Sequence, residues 1–276
     1  MTRAAALVKG ILFMLLFMGP LIIGGIVRNM FPSTYDMLIY GVLGTLGGLL
    51  IAWVFLKTEK KSFASIGLMW ERKTPSRFFS GFLIGTLIFI WILFTLLSFS
   101  ELTMHFHPDP FDLRFLFVYL PIFPLALMEE IGFRSYPQIR IKNAYGVWMS
   151  QLVVAVSFGA YHILNGWSVY VSLTGPFVWA FVFGLAALYS RGIAMPTGIH
   201  FALNVLQNAV GLKGNGGALW KLNYPSGTSQ VLMEKTDKIA LLLHATVLLS
   251  ALVCTAWYVK KNTAHKRPAD TNVGNR

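Results

Sequence analysis

Charged residues are what this sequence has least of: 12% of its 276 positions, against about 25% in an average globular domain. So few cannot cover a folded surface in water, which excludes an ordinary soluble protein. Cysteine is almost absent. Cys254 stands alone, so a disulfide framework is excluded, and with it zinc or iron–sulfur centres built on several thiolates. The low hydrophobicity of disordered chains is also missing: apolar types make up 55% and mean hydropathy is +0.62. What the chain has in quantity is long apolar runs. It reads as an all-α, polytopic integral membrane protein, a single membrane domain over 1–276 with a central polar cavity.

The net charge of +12 would suggest nucleic acid in a soluble protein. Here Lys and Arg in cytoplasmic loops account for it, and no aromatic-interleaved basic stripe accompanies it. No nucleic-acid partner is therefore expected; membrane lipid is.

A bilayer core about 30 Å thick needs roughly 20 helical residues. Eight segments qualify as spans: Leu7–Val27, Met37–Leu56, Phe78–Phe99, one beginning near Phe115, Val147–Leu164, Leu173–Tyr189, Ile193–Leu212 and Ile239–Val259. The first follows Arg3 and Lys9 as a signal peptide would. Its run is long for a cleaved leader and no A-x-A site follows, so it reads as a retained span. With both termini cytoplasmic, most basic residues fall inside: Arg3 and Lys9, the group from Lys57 to Arg77, Arg134 to Lys142, Arg191 and the residues from Lys260 onward. Only Arg28, Arg114, Lys213, Lys221, Lys235 and Lys238 fall outside. The style of the chain suits a bacterial cell membrane. Phe63–Trp70 is expected along the inner membrane surface, and 260–276 as a mobile cytoplasmic tail.

The fourth span carries the chemistry. Its apolar run, Phe115–Met128, covers only about 21 Å at 1.5 Å per residue. The helix is therefore expected to run on through Glu129 and Glu130 to around Lys142. Carboxylates at that depth cost several kcal/mol unless paired, hydrated or protonated, and they mark functional sites by default. Glu130 and Arg134 are four apart and can pair on one face. Glu129 is turned about 100° away and is left free, as a general base requires. The bland alternative is that both serve as polar glue between helices.

Two further spans offer histidine. Phe158 and His162 share a face of the fifth, and His200 and Asn204 share a face of the seventh. Counted from the inner edge at 1.5 Å per residue, all these groups reach overlapping depths, with Pro137 and Pro196 expected to bend their helices. A shared intramembrane site is the expectation. His105 and His107 lie in an acidic outer loop with Glu101, Asp109 and Asp112 and read as solvated; His244 and His265 receive no role.

These motifs together resemble the CPBP family of intramembrane endopeptidases, also called the CAAX-protease, bacteriocin-processing or Abi family. Its pattern of E-E-x-x-x-R, F-x-x-x-H and H-x-x-x-N is matched by Glu129–Arg134, Phe158–His162 and His200–Asn204. The resemblance covers about 115–212, which would be the catalytic core. It implies an eight-helix peptidase with a polar cavity open to the cytosol. It also implies that Glu129 activates water with help from His162, that His200 and Asn204 stabilise the oxyanion, and that Glu130, Arg134 and Phe158 support the site. The substrate expected is a membrane-associated or lipidated protein or peptide. The residue types suit this independently: amide hydrolysis needs a base, oxyanion donors and an acid for the leaving amine. No cofactor is expected; the alternative is zinc held by Glu129, His162 and His200, although the chain has no H-E-x-x-H helix. Two other functions compete. One is a non-catalytic immunity or regulatory protein that grips a peptide in the same cavity. The other is a proton-relaying transporter, disfavoured because no paired half-repeats are visible.

Overall fold

The computed structural model describes residues 2–106, 117–214 and 217–264. Expectations for His107, Asp109, Asp112, Arg114, Phe115, His265 and the tail beyond residue 264 lie outside these. The described residues are predominantly helical. In order they form α1 (Arg3–Arg28), α2 (Ser33–Thr58), a 3-10 turn (Phe63–Ile66), α3 (Thr74–Phe99), β1 (Thr103–Phe106), α4 (Ile122–Arg134) and α5 (Tyr136–Tyr145). There follow α6 (Val147–Leu164), α7 (Val169–Thr174), α8 (Pro176–Ser190), α9 (Ala194–Ala209), β2 (Trp220–Asn223) and α10 (Gln230–Ala264).

Helix α1 shows the local logic. Thr2 Oγ1 caps it by accepting from the Ala5 N–H at 3.2 Å. Ala6, Gly10, Phe13, Phe17, Leu21 and Gly24 recur every three or four residues and are buried, while Val8, Leu15, Ile22 and Ile26 lie exposed on the other side. Exposed aliphatic faces of this extent, repeated on α2, α3 and α10, are intolerable in water and natural against lipid. Among the described residues six helical segments are long and apolar enough to cross a membrane: α1, α2, α3, α6, the α7–α8 stretch Val169–Ser190, and α10. The chain is therefore a multi-pass integral membrane protein.

The two expected spans that fall short of that length are the fourth and the seventh. The fourth is not one helix. It breaks at Ser135, whose ψ of −105° lies outside the helical region, and restarts as α5. Pro137 is the reason. It has no N–H for the Phe133 carbonyl, yet it fits the first turn of a new helix. Pro137 thus breaks a helix it was expected only to bend. Pro196, by contrast, sits in the first turn of α9, where its missing N–H costs nothing. The sixth span breaks similarly at Gly175, before Pro176. Helices α4 and α9, at 13 and 16 residues, pack against α2, α3, α6 and α8, so they need not cover the hydrocarbon thickness alone.

The packing of α9 depends on glycine. Gly81 and Gly85, one turn apart on α3, lie against the backbone of Met195 and Ile199, and Gly198 of α9 lies against the Phe78 carbonyl; a Cβ at any of the three would collide. Small residues let the two helix backbones approach this closely in lipid. On the face where α3 and α9 end, β1 and β2 pair antiparallel, Thr103 opposite Asn223 and Phe106 opposite Trp220, a ribbon the sequence reading did not anticipate.

The opposite face carries a polar lock. Glu59, just past α2, meets Arg140 Nη2 at 2.5 Å, Lys9 Nζ at 3.1 Å and the Tyr136 hydroxyl at 2.6 Å, joining α1, α2 and α5. Burial opposes its ionisation, but the hydrogen bonds from Tyr136 and Lys9 and the charge of Arg140 outweigh that and hold its pKa below the usual range. The Phe63–Ile66 turn tucks Ile66 beside Phe13, Leu56 and Tyr136, whereas Met69 and Trp70 stay exposed. Only the second half of Phe63–Trp70 therefore presents the apolar surface expected there.

Candidate active site

The site is assembled on α4, α6, α8 and α9. Glu130 and Arg134, both fully buried, pair across one turn of α4 at 3.4 Å. The Arg134 guanidinium lies 4.1 Å from the centre of the Phe158 ring and 5.2 Å from that of Phe183. Aromatic faces thus hold a cation that is ion-paired with Glu130. His200, from α9, enters between the two glutamates: Nδ1 is 2.9 Å from Glu130 Oε1, and Nε2 is 3.7 Å from Glu129 Oε2. Phe183 stacks flat on the His200 ring, with centroids 4.7 Å apart and planes 13° apart.

The partners fix the tautomers. A carboxylate held by Arg134 can only accept, so His200 Nδ1 carries a proton and donates to Glu130. Nε2 is left facing Glu129. His162 Nδ1 lies 2.9 Å from the Phe158 carbonyl, which also can only accept, so this ring donates backwards along α6 and keeps Nε2 free. Phe158 is the post around which these groups turn, with its ring 4.7 Å from that of His162 and 6.4 Å from that of His200.

The structure thus gathers Glu129, Glu130, Arg134, Phe158, His162 and His200, and Asn204 lines the same cavity. One detail differs from what the resemblance implied: the imidazole that approaches Glu129 Oε2, at 3.7 Å, is that of His200, while His162 turns its Nδ1 to the Phe158 carbonyl. Among the described residues no three His, Cys, Asp or Glu side chains are placed together to hold a metal ion. Sequence reasoning missed Phe183 and also Trp167, whose ring lies 4.9 Å from that of His162. Nothing distinguishes either from ordinary apolar residues in the chain. It missed Lys213 as well, which was placed in an outer loop but lines the cavity. Burial pulls the Lys213 ammonium below its usual pKa, and the Glu129 charge works against that.

Glu129 and His200 lie at the floor of a cavity of about 960 Å³. Its walls come from the C-terminal halves of α1, α6 and α9 and the N-terminal parts of α2, α4 and α8, with Arg28, Asn165 and Lys213 toward the rim. Below the floor every residue from Glu130 to Gln138 is buried, and Gln138 donates to the Gly184 carbonyl at 2.9 Å, closing that side. The resemblance implied a cavity open to the cytosol. In this structure the cavity lies toward the face opposite Arg3 and the end of α10.

Fold and site together define a multi-pass helical membrane protein with a buried carboxylate–imidazole centre. Residues 110–206 match the family described as Type II CAAX prenyl endopeptidase Rce1-like. That segment, about a third of the chain, holds Glu129, His162, His200 and Asn204. No curated protein matches the chain.

Proposed function

We propose that this protein is an intramembrane endopeptidase that hydrolyses a peptide bond by attack of an activated water. The observation carrying this reading is His200 held between Glu129 and Glu130 at the floor of a polar cavity inside the bundle.

In the proposed reaction a water sits between Glu129 Oε2, a buried oxygen with no hydrogen-bond partner, and the scissile carbonyl carbon. Glu129 takes a proton as the water oxygen bonds to that carbon. The carbonyl π electrons move onto oxygen, where the Asn204 amide donates to the oxyanion; His200 donates there when it carries a proton on Nε2 as well as on Nδ1. The oxyanion then collapses, the C–N bond breaks, and the proton on Glu129 passes to the departing amine. His162 Nε2, free to accept, orients the water. Glu130 and Arg134 do not touch substrate; they hold the His200 ring in place. The substrate class is a peptide segment of a membrane-associated or lipidated protein.

Glu129→Gln keeps shape and removes the base. The purified variant is expected to keep its melting temperature and to lose about 10³-fold in kcat on a cleaved membrane peptide. Unchanged turnover in a folded Glu129→Gln protein refutes the hydrolytic role and favours a cavity that only grips its ligand.

A further inference from the structure

The face on which the cavity opens has a consequence for its substrate. The wall residues on each helix lie at one end of the bundle: Leu21 to Arg28 at the end of α1, Met37 and Tyr40 at the start of α2, Asn165 past α6, Lys213 past α9. That end also carries the β1–β2 ribbon. The other end carries the start of α1, the Lys57–Arg77 segment, Arg191 and the basic end of α10, which is where Lys and Arg concentrate in this sequence. A bias of this kind marks the cytoplasmic side. The cavity therefore opens on the extracytoplasmic side, and the buried α4–α5 junction shuts it from the cytoplasm.

Two cations stand at that opening without a carboxylate partner among the described residues. Among the described residues Arg28 has soft contacts only, its Nη1 3.3 Å from the Met37 sulfur and its guanidinium 5.2 Å from the centre of the Tyr40 ring, while its Nε is buried and makes no hydrogen bond to them. Lys213 lines the cavity beyond α9. Leu21 of α1 and Met128, next to Glu129, both flank Gly44 and so lie at one level. Arg28 is seven residues further along α1, about 10 Å above that floor.

We propose that the cavity takes peptide segments from the extracytoplasmic side, and that Arg28 and Lys213 select those carrying an acidic side chain, held at the rim while the backbone reaches Glu129. A carboxylate there supplies the acceptor both cations lack and forms charge-assisted hydrogen bonds in a partly dehydrated setting. The proposal rests on the hydrolytic reading for its substrate, but its test needs no cleavage and can fail by itself.

Accessibility decides the face. With Cys254→Ser as background, Asn165→Cys at the rim and Lys61→Cys at the other end are exposed to a membrane-impermeant maleimide on intact cells. Asn165→Cys is expected to react at once and Lys61→Cys only after permeabilisation; the reverse pattern overturns the proposal. Binding decides the recognition. An alanine–leucine heptapeptide amide with one aspartate and a neutral fluorophore is compared with its asparagine counterpart by anisotropy on solubilised protein. The aspartate peptide is expected to bind about tenfold more tightly, with the preference lost in Arg28→Gln and Lys213→Gln. Equal binding of the two peptides, or a preference that survives both substitutions, overturns the acidic selectivity.

Discussion

Two adjacent glutamates on α4 have different jobs because about 100° of helix rotation separates their surroundings. Glu130 is buried with Arg134 and His200 as partners, while Glu129 faces His200 and borders the cavity. The pair of substitutions Glu130→Gln and Glu129→Gln tests this division. Glu130→Gln strands a fully buried guanidinium, so it is expected to cost about 3–5 kcal/mol, read as a large fall in the melting temperature of the solubilised protein. Glu129→Gln is expected to leave melting nearly unchanged. Phe183 gives a milder test. It stacks on His200 and lies beside Arg134, so Phe183→Leu is expected to cost about 1 kcal/mol in stability and to lower kcat about tenfold by loosening the imidazole. An effect on stability without one on kcat would remove Phe183 from the proposed site. At this scale the Glu130–Arg134 pair was legible, since it follows from helical spacing alone. The position of His200 between two carboxylates was not, because it depends on how α9 lies across α4.

Helices α4 and α9 carry the site and are the two expected spans too short to cross lipid by themselves. Hydropathy identifies lipid-facing helices well and enclosed ones poorly, because an enclosed helix need be neither long nor uniformly apolar. The break at Ser135 has the same origin. Pro137 was visible in the sequence, but whether it bends or ends a helix depends on whether the freed groups find partners, and Gln138 shows how one such turn is stitched to α8. The α3–α9 contact offers an element-scale prediction. Gly198 lies against the Phe78 carbonyl two residues before His200, so Gly198→Ala forces α9 away from α3. The expected result is a loss of about 1–3 kcal/mol in thermal unfolding together with a fall in kcat, whereas Gly19→Ala on the open face of α1 should change neither.

Seen whole, the molecule has one polar centre open toward one membrane face and one polar lock closing the other. Glu59 makes the lock sensitive to acid. Its pKa is lower in the folded protein than the ordinary 4.5, so its contribution to stability is complete above that value and is lost as the pH falls through the depressed one. Melting temperature is therefore expected to decline below about pH 4.5. Glu59→Gln should melt lower at neutral pH and should lose that part of the acid dependence, since Arg140 is already without its partner. If wild type and variant fall in parallel as the pH drops, the lock does not contribute in this way.

Composition and spacing by themselves determined that the chain lives in a membrane, that it is helical, and that Glu129, His162, His200 and Asn204 reach overlapping depths. These follow from the solvent and from the helical repeat, which are local rules. Tertiary structure alone decided which imidazole meets Glu129, which aromatic rings hold Arg134, where the fourth helix stops and toward which face the cavity opens. Each of those depends on contacts between segments far apart in sequence, and no periodicity within a single segment encodes them.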